Sequence, residues 1–462
     1  MKILLVIYDN ESYIHEFPLG AAYIAAALRD ANYDVEIYNQ DVFHYSDEHL
    51  TEYLNNNHFD AIACGVIGGY YQYRKIIKIS EAIRNSNQEL FYILGGHGPS
   101  SDPEFYLRKT QADAVIIGEG EVTIVDLLNS HFNNKDLNQV EGITYKKDEE
   151  FITTEERELI QDIDSITFPA YDLFPIEYYN LMKYPNSTGT DFTMPMLSGR
   201  GCKFKCNFCY RMDKGHRLRS HESIIKEVKM LKENYGITYI IFSDELLMSS
   251  VKRTEEFCND IINADLNIKW WCNGRLNYAK RELLELMKKA GCVFINYGIE
   301  SMDDESLRKM NKALTVKQII SGVEATLDVG ISPGLNIIWG NIDEDKQTLQ
   351  NGVDFLLKYG DGSQMRTIRP VTPYPGSPLY SYAIQKGLLK DCEDFYENKH
   401  LNSDLVSVNF TKLSDDEFHA ALYEANTTLI KDYFNKKLME NLDGAKKLYF
   451  ENDVTFRGFR PV

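Results

Sequence analysis

The sequence predicts an α/β protein. A doubly wound, Rossmann-like open sheet comes first, then a second β/α repeat of barrel type, then a small helical C-terminal region. Three observations carry this. Short apolar runs alternate with helical stretches through the first 130 residues. Two of those runs, 61–67 and 114–117, are almost continuously apolar, as strands covered on both faces of a parallel sheet are. A second alternation contributes six strand-like segments between about residue 190 and residue 368.

In the first unit, residues 1–145, the candidate strands are 2–8, 35–38, 61–67, 90–94 and 114–117. Helices fall near 19–30, 73–86 and 121–132. Open sheets of this kind bind ligands beyond the carboxyl ends of their strands. Three glycine-bearing loops lie there: Gly68-Gly69, Gly95-Gly96-His97-Gly98-Pro99 and Gly118-Glu119-Gly120-Glu121. Any one of them is an ordinary strand end; together they point to a site where backbone approaches a ligand closely. None matches GxGxxG, so a nicotinamide site has little support. Residues 146–189 read as a linker punctuated by Pro169, Pro175 and Pro185.

The second unit, residues 190–390, has strand candidates before Cys202 and at 239–242, 269–271, 293–299, 335–339 and 365–368. Helices are expected at 221–235, 281–290 and 316–329. Alternation sorts Val293, Ile295, Tyr297 and Ile299 from Phe294, Asn296, Gly298 and Glu300. Asn336 and Gly340 share a face with Ile338, and Asn273 and Arg275 share one with Trp271. A closed barrel fills its lumen with bulky apolar residues. Polar residues on these faces indicate a polar ligand inside, unless the positions lie in loops past the strands. Residues 391–462 read as helical, with Leu413, Phe418, Ala421 and Leu422 at core-forming spacing.

Composition bounds the function. The chain has 462 residues, 44% hydrophobic and 26% charged, the balance of a globular protein. Fifty basic against 69 acidic residues give a net charge of −19, which argues against coating nucleic acid or an anionic membrane. No stretch approaches the roughly 18–20 apolar residues of a membrane helix. The N-terminus lacks the order of a signal peptide. Eight cysteines are too few for a disulfide scaffold of this length. A cytoplasmic enzyme is the expectation.

The chemistry concentrates at Ser198-Gly-Arg-Gly-Cys202-Lys-Phe-Lys-Cys206-Asn-Phe-Cys209. Zinc sites usually add a second pair of Cys or His ligands. His216 is a poorly spaced fourth candidate, and there is no second CxxC. Iron–sulfur clusters prefer thiolates, and three of them on four irons leave one iron open for chemistry. Zinc or purely structural cysteines remain the alternatives. Cys64, Cys258, Cys272, Cys292 and Cys392 are isolated and read as core.

The CxxxCxxC motif with Phe208 before the last cysteine and Gly201 before the first resembles the radical S-adenosylmethionine (SAM) superfamily. The similarity runs through about residues 190–390. Pro18-Leu19-Gly20 and the loops at Gly95 and Gly118 resemble the cobalamin-binding domain that precedes such barrels in one subgroup. The resemblance implies a partial (β/α)6 barrel and a 4Fe-4S cluster on Cys202, Cys206 and Cys209. It also implies SAM bound at the open iron and a 5′-deoxyadenosyl radical that takes hydrogen from carbon. Toward SAM it implies Phe208, Asp244 or Glu245, Arg275, Glu300, Asn336 and Gly340. Arg275 and Arg369 would meet the SAM carboxylate or an anionic substrate, or form surface ion pairs. Toward cobalamin it implies Gly68, Gly69, Gly95, Gly96, His97, Gly118, Glu119 and Gly120. The DxHxxG motif that supplies a cobalt-ligating histidine is missing, since Asp41-Val-Phe-His44 has the wrong spacing. Cobalamin binding without a histidine ligand, or a retained fold with an altered pocket, are both compatible with that.

The implied activity is methyl transfer to an unactivated carbon or phosphorus of a small molecule. Oxidative cyclisation, ring contraction or another rearrangement, with or without working cobalamin, is the alternative; an iron–sulfur carrier or sensor is the non-enzymatic one. A reducing partner such as flavodoxin or ferredoxin is implied as well. Residues 200–219 hold Arg200, Lys203, Lys205, Arg211, Lys214, Arg217 and Arg219 against only Asp213. This basic island is expected to face the anionic cluster or an acidic electron donor, or to be a solvated loop. Pro370 to Tyr380, with four prolines, is a rigid loop at the expected substrate entrance.

Overall fold

The computed structural model describes residues 1–11, 16–212 and 215–455. Its first sheet has seven strands: β1 Lys2–Ile7, β2 Asp34–Asn39, β3 Ala61–Gly65, β4 Phe91–Gly95, β5 Ala114–Ile116, β6 Ile143–Lys147 and β7 Glu150–Thr153. Their order is β2-β1-β3-β4-β5-β6-β7. The first five are parallel, and β6 and β7 close one edge as an antiparallel hairpin. The sheet therefore continues past the expected boundary at 145, into residues whose composition reads as a linker.

Alternation along β1 shows how the sheet is filled. Leu4 and Val6 enter one core with Ile62, Leu94 and Val115. Ile3 and Leu5 enter another with Ala25, Ile93 and Leu127. Both faces are dry, as the apolar runs predict. Helices Leu19–Asp30, Tyr70–Arg84 and Gly120–Phe132 stand where expected. Helices Asp47–Asn56 and Pro103–Thr110 go beyond the expected set. The first buries only Leu50 and Leu54, too few for a readable stripe.

The second unit opens with β8 Thr193–Met196, followed by a two-stranded antiparallel ribbon of β9 Gly199–Arg200 and β10 Arg217–Leu218. Then come β11 Tyr239–Phe242, β12 Lys269–Gly274, β13 Cys292–Glu300, β14 Ser332–Trp339 and β15 Arg369–Pro370. These five and β8 form a parallel sheet in the order β15-β14-β13-β12-β11-β8, an open half-barrel. The strand expected at 365–368 is instead the two-residue β15, which ends on Pro370. Helices His221–Tyr235, Arg281–Lys289 and Val316–Val329 cover the outer face. That face packs Ile240, Trp270, Ile295, Tyr297, Ile299, Leu335 and Ile337 into the largest core of the molecule.

The C-terminal region joins the two units. Phe395, Tyr396, Val408 and Phe410 pack into the core of the first sheet. Helix Asp415–Tyr449 opens on a Ser414/Glu417 capping box and buries Phe418, Leu422, Ala425 and Leu429. Phe418 stacks on Trp339 with centroids 4.3 Å apart. Among the described residues no helix is long and apolar enough to cross a membrane.

Candidate functional site

The ribbon β9–β10 is the neck of a loop, residues 201–216, that carries the three cysteines. Gly201 leaves the neck with φ +79°, a conformation that favours glycine. Cys206 and Cys209 are neighbours in one turn, with the N–H of Cys209 donating to Cys206 O at 3.4 Å. Hydrogen bonding from Cys209, aided by the charges of Lys312 and Arg275, lowers the Cys206 thiol below the usual thiol range. The same partnership and burial push Cys209 upward. Arg275 is buried, lies 3.5 Å over the Phe204 ring, and donates to the carbonyl of Lys312. Thiols flanked by two buried cations are a donor set that suits an anionic iron–sulfur cluster. Among the described residues no three His, Cys, Asp or Glu side chains converge as the ligands of a single metal ion do. His216, the fourth ligand considered for zinc, faces Leu246, whose backbone hydrogen-bonds it, rather than the cysteines.

Asn207, between the second and third cysteines, anchors the loop. Its N–H donates to Met310 O, and its carbonyl accepts from Leu379 N–H. Its side chain forms a reciprocal amide pair with Asn341, at 3.1 and 3.2 Å. Asn341 follows β14 and is itself held by Glu344, which accepts from the N–H groups of Gly340 and Asn341 and from Ser301 Oγ. Burial pushes Glu344 up to about 7.

The inner face of the half-barrel is polar. Asn273 donates to Asp244 O, Asn296 donates to Asn273 Oδ1, and Asn336 donates to Asn296 Oδ1 at 2.7 Å. This row of amides crosses from β12 to β14, the set that strand alternation separates from the apolar one. At its upper end Glu300, with φ +71°, is buried and pairs with Lys312 Nζ at 2.8 Å. Lys312 also stands 5.8 Å from the Phe208 ring. It is the residue of this candidate site that sequence reasoning misses, since it lies in a loop without a motif.

Other expected residues are placed differently. Asp244 accepts from the N–H and hydroxyl of Ser198, and burial raises it to about 6. Glu245 accepts from Gly201 N–H at 3.1 Å. Both acids thus engage the 198–201 segment at the neck. Gly340 leaves β14 with φ +93°, and a Cβ there would strike the Phe418 ring, so it belongs to the outer layer rather than to the inner face shared by Asn336. Arg369 pairs with Asp404 on the surface, with its side chain 61% exposed, unlike buried Arg275.

At the first sheet the strand order reverses between β1 and β3, so the ligand crevice of such a fold lies over their carboxyl ends. Gly65 and Gly118 there face open space, with no atom within 4 Å of an added Cβ. Ile67 beside them is 61% exposed. Gly68 and Gly69 lead into helix Tyr70–Arg84, and Gly95 ends β4. Gly96 has φ +94°, and a Cβ would lie 2.7 Å from Val66 O. His97, lowered by burial, meets Tyr210 edge-on at 6.2 Å, so this loop reaches the cysteine loop. An open, apolar-floored edge that glycines keep clear fits a large flat cofactor such as cobalamin.

Glu119 corrects an expectation. Its carboxylate accepts from Arg200, from Arg217 and from Ile160 N–H, all at 2.7–2.9 Å. Glu121 pairs with Arg200 at 2.5 Å. Glu119 therefore faces the second unit and is saturated there. The basic island is corrected with it. Arg200 and Arg217 are used by these acids, Arg219 by Glu227, Lys203 by Ser249 O and Arg211 by Phe204 O. Lys214 and Asp213 lie outside the described residues. The island is largely internal scaffolding, because long cations find partners distant in sequence.

The family model of the radical SAM superfamily matches residues 196–356, and that of the B12 binding domain matches residues 7–128. A protein named as an uncharacterized methyltransferase of Pyrococcus horikoshii is 29% identical over 472 aligned residues, covering 98% of this chain and 99% of its own. An anaerobic magnesium-protoporphyrin IX monomethyl ester cyclase of Rubrivivax gelatinosus is 26% identical over 389 residues, 82% of this chain and 68% of its own. The solved structure of TsrM from Kitasatospora setae, a radical SAM methyltransferase with cobalamin and a 4Fe-4S cluster bound, has a TM-score of 0.72. It is 16% identical and covers 92% of this chain and 88% of its own. At that identity the likeness is one of fold.

Proposed function

We propose that this chain, a radical SAM protein with an N-terminal B12-binding domain, is a cobalamin-dependent methyltransferase. Its target is an unactivated carbon or phosphorus of a small molecule. The observation that carries the proposal is the meeting of the two units. The glycine-lined sheet edge that fits cobalamin touches the cysteine loop through His97 and Tyr210, at the mouth of a polar half-barrel. The Pyrococcus relative and TsrM both bear methyltransferase names, which supports the same reading.

In this reading Cys202, Cys206 and Cys209 hold a 4Fe-4S cluster, with Arg275 and Lys312 balancing its negative charge. Asn273, Asn296 and Asn336 line the SAM-binding lumen, and Glu300, held by Lys312, presents a fixed carboxylate at its top. Phe208 stands beside them. Gly65 and Gly118, each with open space beside it, leave room for the corrin. When bound, the cluster and SAM supply a carbon-centred radical, and cobalamin supplies the methyl group. The residues of the chain bind, orient and exclude water. All eight cysteines are free, which fits a reducing cytoplasm. A flavodoxin or ferredoxin would supply electrons.

The test is anaerobic reconstitution with iron, sulfide, SAM and hydroxocobalamin. The expected products are methylcobalamin and 5′-deoxyadenosine. Deoxyadenosine without bound cobalamin would move the protein to another radical SAM reaction. No SAM cleavage under strong reductant would refute both. Cys206→Ala is expected to abolish cluster assembly, read from iron content and the visible spectrum.

A further inference from the structure

The cluster loop is gripped at its neck from the other unit. Arg200 and Arg217 are register partners across the β9–β10 ribbon, one on each side of the loop that carries the three cysteines. Both are bound by acids where the chain after β5 enters helix Gly120–Phe132, with Glu119 just before the helix and Glu121 in its first turn. Arg200 donates through Nη1 to Glu119 and through Nη2 to Glu121, while Arg217 Nη1 meets both oxygens of Glu119. The side chains are buried, and the Arg200 guanidinium is also 5.4 Å from the Tyr23 ring. Ile160 contributes its N–H to Glu119 and its carbonyl to Arg217.

Charge-assisted bonds made through a planar fork are directional, and out of water they are stiff. This loop-to-helix junction faces two ways. Gly118 opens onto the crevice of the first sheet, with φ +78° and nothing within 4 Å of an added Cβ, while Glu119 and Glu121 point at the neck. Any movement of the cluster loop relative to that crevice must break these pairs.

We propose that Glu119 and Glu121, acting on Arg200 and Arg217, are positioning residues that set the distance between the cobalamin crevice and the cluster loop. The proposal rests on the reading of the two units as carriers of cobalamin and cluster. Its chemical consequence is coupling. SAM cleavage needs only the half-barrel, whereas methyl transfer needs both cofactors in register, and a misplacement on the order of 1 Å costs about 10²-fold.

The experiment uses full-length protein reconstituted with cluster and cob(II)alamin, comparing the unmodified chain with Glu119→Gln/Glu121→Gln. Electron paramagnetic resonance reads the dipolar interaction between the reduced cluster and cob(II)alamin. The expected variant loads both cofactors, shows a weaker and more heterogeneous interaction and, given SAM and reductant, makes about 10²-fold less methylcobalamin per deoxyadenosine. Arg200→Lys keeps the charge but loses the fork, and is expected to show the same change in smaller measure; it serves if the double variant does not fold. An interaction identical to that of the unmodified chain in the folded variant overturns the proposal. Absence of either paramagnetic centre in the unmodified protein overturns the reading of the units, and the proposal with it.

Discussion

In the first sheet Leu4 and Val6 point into one core and Ile3 and Leu5 into another. In the second sheet Ile295, Tyr297 and Ile299 point into a core, but Asn273, Asn296 and Asn336 point the other way and bond to one another. The same β/α unit builds both. The first sheet is apolar on both faces, so only its edge, where the strands end in glycine, is left for a ligand. The second sheet keeps one face polar, which suits a polar ligand in the lumen. The proposed function puts cobalamin at the first and SAM at the second.

The comparison breaks most readily where charge is deepest. Lys312→Met leaves Glu300 buried without its cation, and loss of one partner from a buried pair costs about 3–5 kcal/mol. Denaturant titration is expected to show that loss; a change under about 1 kcal/mol would mean that the pair is solvated. In the first sheet Ile62→Ala opens a cavity in a dry core, at about 2–5 kcal/mol, with the cluster loop unaltered.

Glu344 sharpens the contrast through pH. Its carboxyl titrates near 7 when folded, against an ordinary 4.5, so the folded state binds the extra proton in between. Stability is full below about pH 4.5 and falls as pH rises through 7, by on the order of 3 kcal/mol. Glu344→Gln keeps the shape and is expected to flatten that stretch of the stability–pH curve. An unchanged slope would assign it to another group. Smallest of all is Asn296→Ala, which loses two amide bonds, one half-buried and one exposed, at about 1 kcal/mol. Its expected mark is weaker SAM binding by calorimetry, and unchanged binding would return the amide row to a structural role.

The legible parts of the molecule are those with short-range signatures. Strand alternation alone separates Asn296 from Ile295, and cysteine spacing alone picks out the loop of three cysteines. Illegible are contacts across long separations. Glu119 sits in a glycine loop that reads as a ligand site, and its partners lie some eighty to a hundred residues away. Lys312 carries no motif, and only the packing of its loop against Glu300 and Phe208 gives it a role. The hairpin β6–β7 reads as linker because Lys146, Lys147 and the acids after them hide the apolar alternation of an edge pair.

The amide pair of Asn207 and Asn341 has a consequence for electron transfer. Each side chain both gives and accepts, and neither carries charge. In the proposed function, a salt bridge in that place would tighten or slacken as a cluster beside it gained an electron, whereas two neutral amides would respond far less. This fastening would be nearly indifferent to redox state, unlike the charged pairs of Arg200 and Arg217 at the neck.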